Sequence, residues 1–292
     1  MSSAAPLPDS ASYTCGRFNL DLSRPLVMGI LNVTPDSFSD GGRFIARDSA
    51  LRQAEQLLAE GADIIDIGGE SSRPGSDALP LEQELERVIP IVESLRECGV
   101  PLSIDTYKPA VMRASLAAGA DMINDIWGFR QPGAVDAVAG SQCGLCVMHM
   151  LNDPLTMQSA PSYRDVAAEV GQFLAMQASM LEAKGIARSR ICVDPGFGFG
   201  KTLEHNLTLL GRLDELAHGS WPVLVGMSRK SMLGQLTGRK MPTERLAASV
   251  AAALCAAERG AFIIRVHDVA PTVDALKVWQ AVRSATPRVE QA

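Results

Sequence analysis

Short apolar runs alternate along this chain with longer stretches in which apolar residues recur every three or four positions. The short runs have the length and composition of strands, and the longer stretches have the period of helices. Several helical stretches end in glycine, the residue that commonly follows a helix C-terminus. The eight predicted strands cover residues 25–33, 62–70, 101–106, 121–126, 144–150, 190–196, 222–228 and 262–268.

The predicted strands are apolar on both faces and are separated by single helices, a pattern typical of a parallel sheet with helical crossovers. Eight such units favour an α/β fold closed into a (β/α)8 TIM barrel, although periodicity alone leaves an open doubly wound sheet as the alternative. Residues 12–23 resemble a short hairpin. The 292 residues suit one barrel domain, which typically takes roughly 250 residues. We expect an N-terminal tail over 1–12, the barrel over 13–283 and a C-terminal tail over 284–292.

Charge and composition narrow the range of partners. The chain has 27 basic and 33 acidic residues and a net charge of -6, which argues against broad binding to nucleic acid or to an anionic membrane. We find no apolar stretch near the roughly 20 residues of a membrane span and no signal-peptide pattern, so we expect a cytoplasmic protein. Cys143 stands directly before the predicted strand at 144–150 and Cys146 within it. Positions three apart in an extended chain point to opposite faces, so we expect neither a zinc site nor a redox pair.

Polar residues stand at or just beyond the end of most predicted strands. Active sites of barrels form at the carboxyl ends of the strands. Any single Asp after a strand could be only a helix cap, but polar residues at the same end of so many units predict one shared site. The residues are Asn32, Glu70, Asp105, Asn124, Asp125, His149, Asp194, Ser228, Arg229, Lys230, Arg265 and His267.

Two loops at the same end are unusually long and rich in Gly, Pro, Ser and Asp. They span residues 32–44 and 69–80, and both exceed the typical length of a connection between elements. Such loops suit a lid that becomes ordered on its ligand. The alternative is that they are only exposed connections.

Seven segments of the chain resemble, in order and spacing, those of bacterial dihydropteroate synthases: MGILNVTPDSFSDGG, IIDIGGESSRPG, SIDTYKP, MINDI, VDPGFGFGK, GMSRKSM and RVHD. The resemblance runs from about Pro25 to Asp268. It implies a barrel enzyme, usually homodimeric, that joins 4-aminobenzoate to a dihydropterin pyrophosphate and is inhibited by sulfonamides. Ser72 stands where many members have threonine, and the hydroxyl group is retained.

The resemblance also assigns a pterin site. A pterin ring offers an amine beside a ring N–H, a donor pair that one carboxylate can accept. Asp194 is expected to take this edge, and Asn124 and Asp105 to complete the polar contacts of the ring. Lys230 is expected to donate to the carbonyl side, and Met148 to lie against the ring face.

The pyrophosphate site implied by the resemblance is Asn32, Ser72, Arg73, Arg265 and His267. Arg265 and His267 are two apart on the last predicted strand, so their side chains leave on the same face. Asn32 and the loop carboxylate Asp40 resemble the ligands of the family's Mg2+, a cation that accepts few protein oxygens when a substrate phosphate supplies the rest.

The implied 4-aminobenzoate pocket consists of Phe38, Ser72, Arg73, Pro74, Phe199, Lys230 and Ser231. Phenylalanine and proline would form an apolar slot for the ring, and Ser231 with a helix N-terminal amide would bind the carboxylate. In the family mechanism pyrophosphate leaves first, and the amine captures the resulting pterin cation. The residues expected to act in catalysis are Asp105, Asp194, Lys230, Arg265 and His267.

Two other functions remain open at this point. A barrel that transfers a methyl group from a folate to a corrinoid protein would share the pterin-holding Asp and Asn residues, but would need neither Arg265 with His267 nor the long loops. A pterin-binding paralogue without turnover would look the same in sequence. The G-F-G-F-G run at residues 196–200 lacks the spacing of a dinucleotide-binding loop.

Overall fold

The computed structural model describes residues 12–33, 42–71, 78–153, 156–217 and 221–285. Strands β1 (Ser12–Cys15) and β2 (Phe18–Asp21) pair antiparallel in a hairpin, as the sequence predicts. Eight further strands form a closed parallel barrel in the order β10-β3-β4-β5-β6-β7-β8-β9. Closure confirms the (β/α)8 prediction and removes the open sheet as an alternative.

Each barrel strand lies within or close to its predicted segment. The strands are β3 (Leu26–Asn32), β4 (Ile64–Gly68), β5 (Leu102–Asp105), β6 (Met122–Asp125), β7 (Gly144–Met148), β8 (Ile191–Asp194), β9 (Val223–Val225) and β10 (Ala261–Val266). Most are shorter than predicted, although Asp105, Asn124 and Asp194 at their carboxyl ends still pair within the ladder.

Helices occupy the connections and cover the outside of the barrel. They are α1 (Gly42–Ala59), α2 (Leu81–Leu95), α3 (Pro109–Ala118), α4 (Ala134–Val138), α5 (Val166–Ala183), α6 (Leu203–Gly211), α7 (Leu213–Ala217), α8 (Ser231–Thr237), α9 (Leu246–Glu258) and α10 (Val269–Ala285). Local sequence sets several of their ends; Asp165, for example, accepts the amide N–H groups of Ala167 and Ala168 at the start of α5. Within the described ranges, no helix has the length and apolarity to cross a membrane.

The side chains of each barrel strand alternate between the helices outside and the interior of the barrel. The outward set, for example Val27, Ile65 and Leu145, belongs to the large core shared with the helices. The inward set forms a second apolar cluster of Leu26, Met28, Ile64, Met122, Cys146, Cys192, Leu224 and Ile263. Cys143 lies in the first cluster and Cys146 in the second, so the two thiols face opposite sides as predicted.

The N-terminal hairpin covers the amino-terminal end of the barrel. Tyr13 and Cys15 are fully buried and pack within the inward cluster. A Cβ at Gly144, the first residue of β7, would lie 2.5 Å from the Tyr13 hydroxyl oxygen, so only glycine fits there. Arg17 also pairs with the buried Asp121 at 2.9 Å. With this end filled, ligands are expected to enter from the carboxyl end of the strands.

Candidate active site

A layer of polar side chains lies inside the barrel, above the inward apolar cluster. Strand register sets this layer: Asp66 is the lateral partner of Ser103, and Asp105 is the partner of Asn124. On the far side, Asp194 pairs with Met148. All six side chains in the layer point inward from alternate positions: Asp66, Ser103, Asp105, Asn124, Asp194 and Arg265. Five of the residues predicted to bind the pterin or to act in catalysis lie within the observed strands. Four of these five belong to the layer, and the fifth is Met148.

Arg265 joins two carboxylates across the barrel. Its Nε donates to Asp66 Oδ2 at 2.6 Å, and its Nη2 donates to Asp105 Oδ2 at 2.8 Å. The Asp66 side chain is completely buried, and that of Arg265 is 17% exposed. The two bonds fix the orientation of the guanidinium across the interior, because the side chain cannot rotate without breaking at least one of them. The predicted contact of Arg265 with pyrophosphate stays a prediction.

Asp66 is a site residue that the sequence reasoning missed. It is the middle residue of β4, in the run Ile64–Gly68 that is otherwise apolar or glycine. A carboxylate inside a fully buried strand is costly without a partner. An aspartate within this apolar run was therefore the sequence signal that could have identified Asp66. Asp66 lies two residues before the end of β4, whereas the predicted site residues lie at or just beyond the strand ends.

Three buried polar atoms in this layer have no hydrogen-bond partner within the described part of the chain: Asp66 Oδ1, Ser103 Oγ and Asn124 Oδ1. The Asn124 amide nitrogen donates to Asp66 Oδ2 at 3.4 Å. Burying an unsatisfied polar atom costs about 1–3 kcal/mol, and such clusters need an explanation in a native fold. Two of the three atoms are oxygens that only accept, so the layer is suited to a ligand that carries N–H donors.

Burial shifts the protonation equilibria of this layer. Burial raises the pKa of Asp105 to about 7, against the opposing effect of Arg265 and with the repulsion of Asp66. Burial also raises the pKa of Asp194, while Lys230 opposes this shift. Burial lowers the pKa of Lys230 to about 8, with Asp194 opposing. Several ionisable groups in one cleft with pKa values shifted towards neutral pH are typical of functional sites.

Asp194 and Lys230 meet at the loop that follows β8. Gly196 N–H donates to Asp194 Oδ1 at 2.7 Å, and Lys230 Nζ donates to the Phe197 carbonyl at 2.5 Å. The Lys230 ammonium also lies 4.6 Å from the centre of the Phe199 ring, within range of a cation–π contact. The loop therefore orients both residues that were predicted to bind the pterin on this side.

An apolar cluster lies beside the polar layer at the mouth of the barrel. Its buried members are Ile126, Met148, Met150, Met157 and Phe199, and the rings of Tyr107 and Trp127 pack against it. Met148 and Phe199 are 3% and 8% exposed. The structure thus brings Met148 and Phe199, two of the predicted apolar contacts of the substrates, into one cluster, a wall suited to flat rings.

The remaining predicted residues lie around this centre. His267 follows β10, with its Nδ1 3.2 Å from Ser228 Oγ. Asn32 ends β3 with an exposed side chain, and Ser231 is the first residue of α8. The other predicted positions lie outside the described residues: Phe38, Asp40, Ser72, Arg73 and Pro74.

Two of the polar residues at the strand ends stabilise the fold locally. Asp125 accepts the N–H groups of Trp127 and Phe129, both at 2.8 Å, and so caps the turn after β6. Glu70 accepts from Tyr107 at 3.0 Å and pairs with Lys108. Both residues thus have a local structural role, although neither is the helix cap that was the alternative for a single Asp after a strand.

Asn32 fits magnesium as one member of a small ligand set. It offers an amide oxygen at the mouth, the kind of ligand that Mg2+ takes alongside substrate phosphates. Among the described residues no group of three or more His, Cys, Asp and Glu side chains could hold a metal ion. A cation here would need further oxygens besides that of Asn32, and substrate phosphates are one such source.

Known proteins similar to this chain share its motifs and its barrel. The profile of a family described as pterin binding enzyme matches residues 28–267. The dihydropteroate synthase of Escherichia coli K12 is 52% identical over 268 residues, which are 91% of this chain and 95% of the relative. The crystal structure of Burkholderia cenocepacia dihydropteroate synthase complexed with 7,8-dihydropteroate has a TM-score of 0.87 and 62% identity, covering 94% of this chain and 97% of that one. The Yersinia pestis dihydropteroate synthase in a sulfonamide drug complex has a TM-score of 0.88 and 50% identity, with coverage of 94% and 100%.

Proposed function

Since the chain belongs to the pterin-binding enzyme family, we propose that it catalyses the dihydropteroate synthase reaction. The enzyme would condense 6-hydroxymethyl-7,8-dihydropterin pyrophosphate with 4-aminobenzoate and release 7,8-dihydropteroate and pyrophosphate. The similar structures bound to dihydropteroate and to a sulfonamide support both the product and the inhibitor class.

The observation that carries this proposal is the polar layer with its unmatched acceptors. Asp66 Oδ1 and Asn124 Oδ1 are buried without partners among the described residues, beside the carboxylates of Asp105 and Asp194. A reduced pterin presents an exocyclic amine and ring N–H groups to such oxygens, and a ring carbonyl that Lys230 can meet. Hydrogen bonds from the pterin to these oxygens would remove the cost of leaving them unsatisfied. The same bonds would provide both binding energy and specificity for the ring.

In the proposed reaction the C–O bond to pyrophosphate breaks first, and both electrons leave with the oxygen. The pterin CH2 becomes a cation that the lone pair of the arylamine captures, after which the amine loses a proton. Three carboxyl groups, those of Asp66, Asp105 and Asp194, face Arg265 in the layer and Lys230 beside it. When all three are ionised, their field favours a positive intermediate. The wall around Met148 and Phe199 would exclude water, which competes with the amine for the cation.

The leaving group would be stabilised at the outer edge of the layer. Arg265 is already held by two carboxylates, so it needs little reorganisation when negative charge develops on the departing oxygen. We propose that His267 and Asn32 complete this site, and that Asn32 with Asp40 holds Mg2+. When bound, the cation would neutralise part of the pyrophosphate charge.

We also propose that the protein is a homodimer, as the family resemblance implies, and that it is cytoplasmic. Large apolar side chains on and after α8 support a covered face: Leu236, Met241 and Leu246 are 51%, 60% and 41% exposed. Light scattering coupled to size-exclusion chromatography would test the dimer.

The reaction is tested by incubating the purified protein with both substrates, with each alone, and with Mg2+ or a chelator. We expect dihydropteroate and pyrophosphate in equal amounts only when both substrates are present. Tight pterin binding without product would instead indicate the non-catalytic paralogue. Methyl transfer from a folate to a corrinoid protein would indicate the methyltransferase alternative.

A further inference from the structure

A buried lysine lies beside the polar layer, and neither the sequence reasoning nor the proposed reaction uses it. Lys201 directly follows the G-F-G-F-G loop and is only 3% exposed. Its Nζ contacts His149 Nδ1 at 2.9 Å, the Gly196 carbonyl at 2.9 Å and the Phe199 carbonyl at 3.1 Å. An ammonium group has three N–H donors, so the three acceptors saturate it. Burial lowers the pKa of Lys201 to about 7, although the charge of Asp194 opposes this shift. The three contacts describe the ammonium form, and a buried ammonium is costly without such partners.

His149 serves as an acceptor in this arrangement. The ring is 5% exposed and stands edge-on to Phe173, with 5.0 Å between centroids. Burial lowers the pKa of His149 to about 2, and the charge of Lys201 acts in the same direction. The imidazole is therefore neutral, and the lone pair of Nδ1 can accept from Lys201. The backbone N–H of His149 donates to the Asp194 carbonyl at 2.9 Å, which ties this residue to β8 as well.

The loop that Lys201 holds has little freedom to move. A Cβ at Gly196 would lie 1.9 Å from the His149 carbonyl oxygen, and one at Gly200 would lie 2.4 Å from Leu151 Cβ. The loop backbone thus presses directly against the chain that follows β7. Side chains from three other segments bond the same loop, as Gln158 donates to Gly198 O, Tyr163 donates to Gly200 O and Asn206 accepts from Gly198 N.

The opposite side of the loop faces the pterin site. The N–H of Gly196 donates to Asp194 Oδ1, and its carbonyl accepts from Lys201 Nζ. Gly196 therefore links the buried lysine to the carboxylate that is predicted to bind the pterin. The Phe197 carbonyl accepts from Lys230. The Phe199 carbonyl accepts from Lys201, and the Phe199 ring makes a cation–π contact with Lys230. Displacing the two carbonyls from Lys201 would therefore shift the contacts of both Asp194 and Lys230.

We propose that Lys201 is a positioning residue for the reaction: braced by the acceptor nitrogen of His149, it holds the carbonyls of Gly196 and Phe199 so that the loop orients Asp194 and Lys230. This inference rests on the proposed function for the identity of the substrate. It assigns Lys201 no contact with substrate. Its loss should weaken pterin binding through the orientation of two residues that remain present.

The test compares four variants with the wild-type protein. Lys201→Met keeps the length of the side chain but removes the ammonium, and Lys184→Met makes the same change at an exposed lysine after α5. His149→Gln keeps an oxygen that can accept from Lys201, whereas His149→Leu keeps none. Circular dichroism and thermal melting give the folded fraction, calorimetry gives the affinity for dihydropterin pyrophosphate, and steady-state kinetics separate kcat from KM.

We expect folded Lys201→Met to bind the pterin substrate on the order of 10-fold to 100-fold more weakly, the range seen when a supporting contact of a site is lost. His149→Leu should show a similar loss, His149→Gln a much smaller one and Lys184→Met none. If Lys201→Met does not fold, the His149 pair decides the matter in the same way.

Wild-type pterin affinity in folded Lys201→Met, or a lower melting temperature with unchanged affinity and kinetics, would overturn the positioning role. Equal losses in His149→Gln and His149→Leu would overturn it too. The calorimetry is independent of turnover, so a wild-type protein that binds the pterin but makes no dihydropteroate would contradict the proposed reaction and still leave Lys201 testable.

Discussion

Replacing Asp66 by asparagine should separate the ion pair inside the barrel from the fold around it. Asp66 is fully buried, and its Oδ2 accepts the Arg265 Nε–H at 2.6 Å. The asparagine side chain would keep a carbonyl oxygen of nearly the same shape but would carry no charge. Arg265 would then be held electrostatically by Asp105 alone, at 2.8 Å.

The size of the effect follows from the kind of bond that changes. A hydrogen bond to a charged group contributes about 1.5–3 kcal/mol and a neutral one about 0.5–1.5 kcal/mol, so the substitution should cost about 1–1.5 kcal/mol. If Arg265 is less well held in the transition state by this amount, kcat/KM should fall about tenfold, since 1.36 kcal/mol corresponds to a factor of ten.

The same substitution should also change the pH dependence. Asp66 is among the groups that raise the pKa of Asp105, after burial itself. Removing the Asp66 charge and leaving Arg265 to Asp105 both favour the ionised form, so the pKa of Asp105 should fall below about 7. If ionised Asp105 is required for the reaction, the acidic limb of kcat/KM should move to lower pH. The contribution of Asp105 to stability should fall as pH rises from about 4 towards 7, because the unfolded chain releases this proton at lower pH than the buried carboxyl group does. This fall should be smaller in the variant.

Asp121→Asn is the matched control. Asp121 is a buried carboxylate paired with Arg17, but it lies at the opposite end of the barrel. This control substitution should lower the melting temperature and leave kcat/KM and its pH profile unchanged. Wild-type kinetics and a wild-type pH profile in Asp66→Asn would contradict this role of Asp66. Loss of activity in proportion to stability in both variants would contradict it as well.

Three further predictions concern the ends of the site and the fold beneath it. Asp194→Asn should weaken pterin binding in calorimetry by about 1–3 kcal/mol or more, because an amide cannot accept both hydrogen bonds without turning a donor towards the ligand; wild-type affinity would contradict the assignment. Arg265→Ala or His267→Ala should weaken a pterin pyrophosphate far more than a pterin without phosphates, and equal losses would show a structural role. Gly144→Ala should lower stability by about 1–3 kcal/mol in thermal melting without changing KM, because its Cβ would lie 2.5 Å from the Tyr13 hydroxyl.

The sequence alone determined the fold class and the end of the barrel that carries the site. Both depend on local information: strands apolar on both faces, single helices between them, and polar residues as each strand ends. Asp105, Asn124 and Asp194 follow this rule because each is the last or next-to-last residue of its strand. The order of the motifs supplied the family, and with it the expected substrate.

Only the tertiary structure decided which of those polar residues face one another. Asp125 and Asn124 are neighbours in sequence, yet one caps a turn and the other points into the barrel. Alternation along a strand separates them, but the direction of the alternation depends on how the sheet closes. The ion pairs of Arg265 join residues that are 199 and 160 positions apart, and no local pattern specifies such a distance.

Asp66 and Lys201 show the same limit for buried charges. In sequence, Asp66 is a polar residue within an apolar run, and Lys201 is a lysine after a glycine-rich loop. Each is tolerated only because the fold brings its partners to it: Arg265 from the last strand to Asp66, and His149 with two loop carbonyls to Lys201. The desolvation cost of a charge depends on the atoms that surround it in space, not on its neighbours in sequence. The local sequence therefore determined the parallel β/α units and the polar residues at the ends of their strands, while closure of the barrel decided which of these charges face one another.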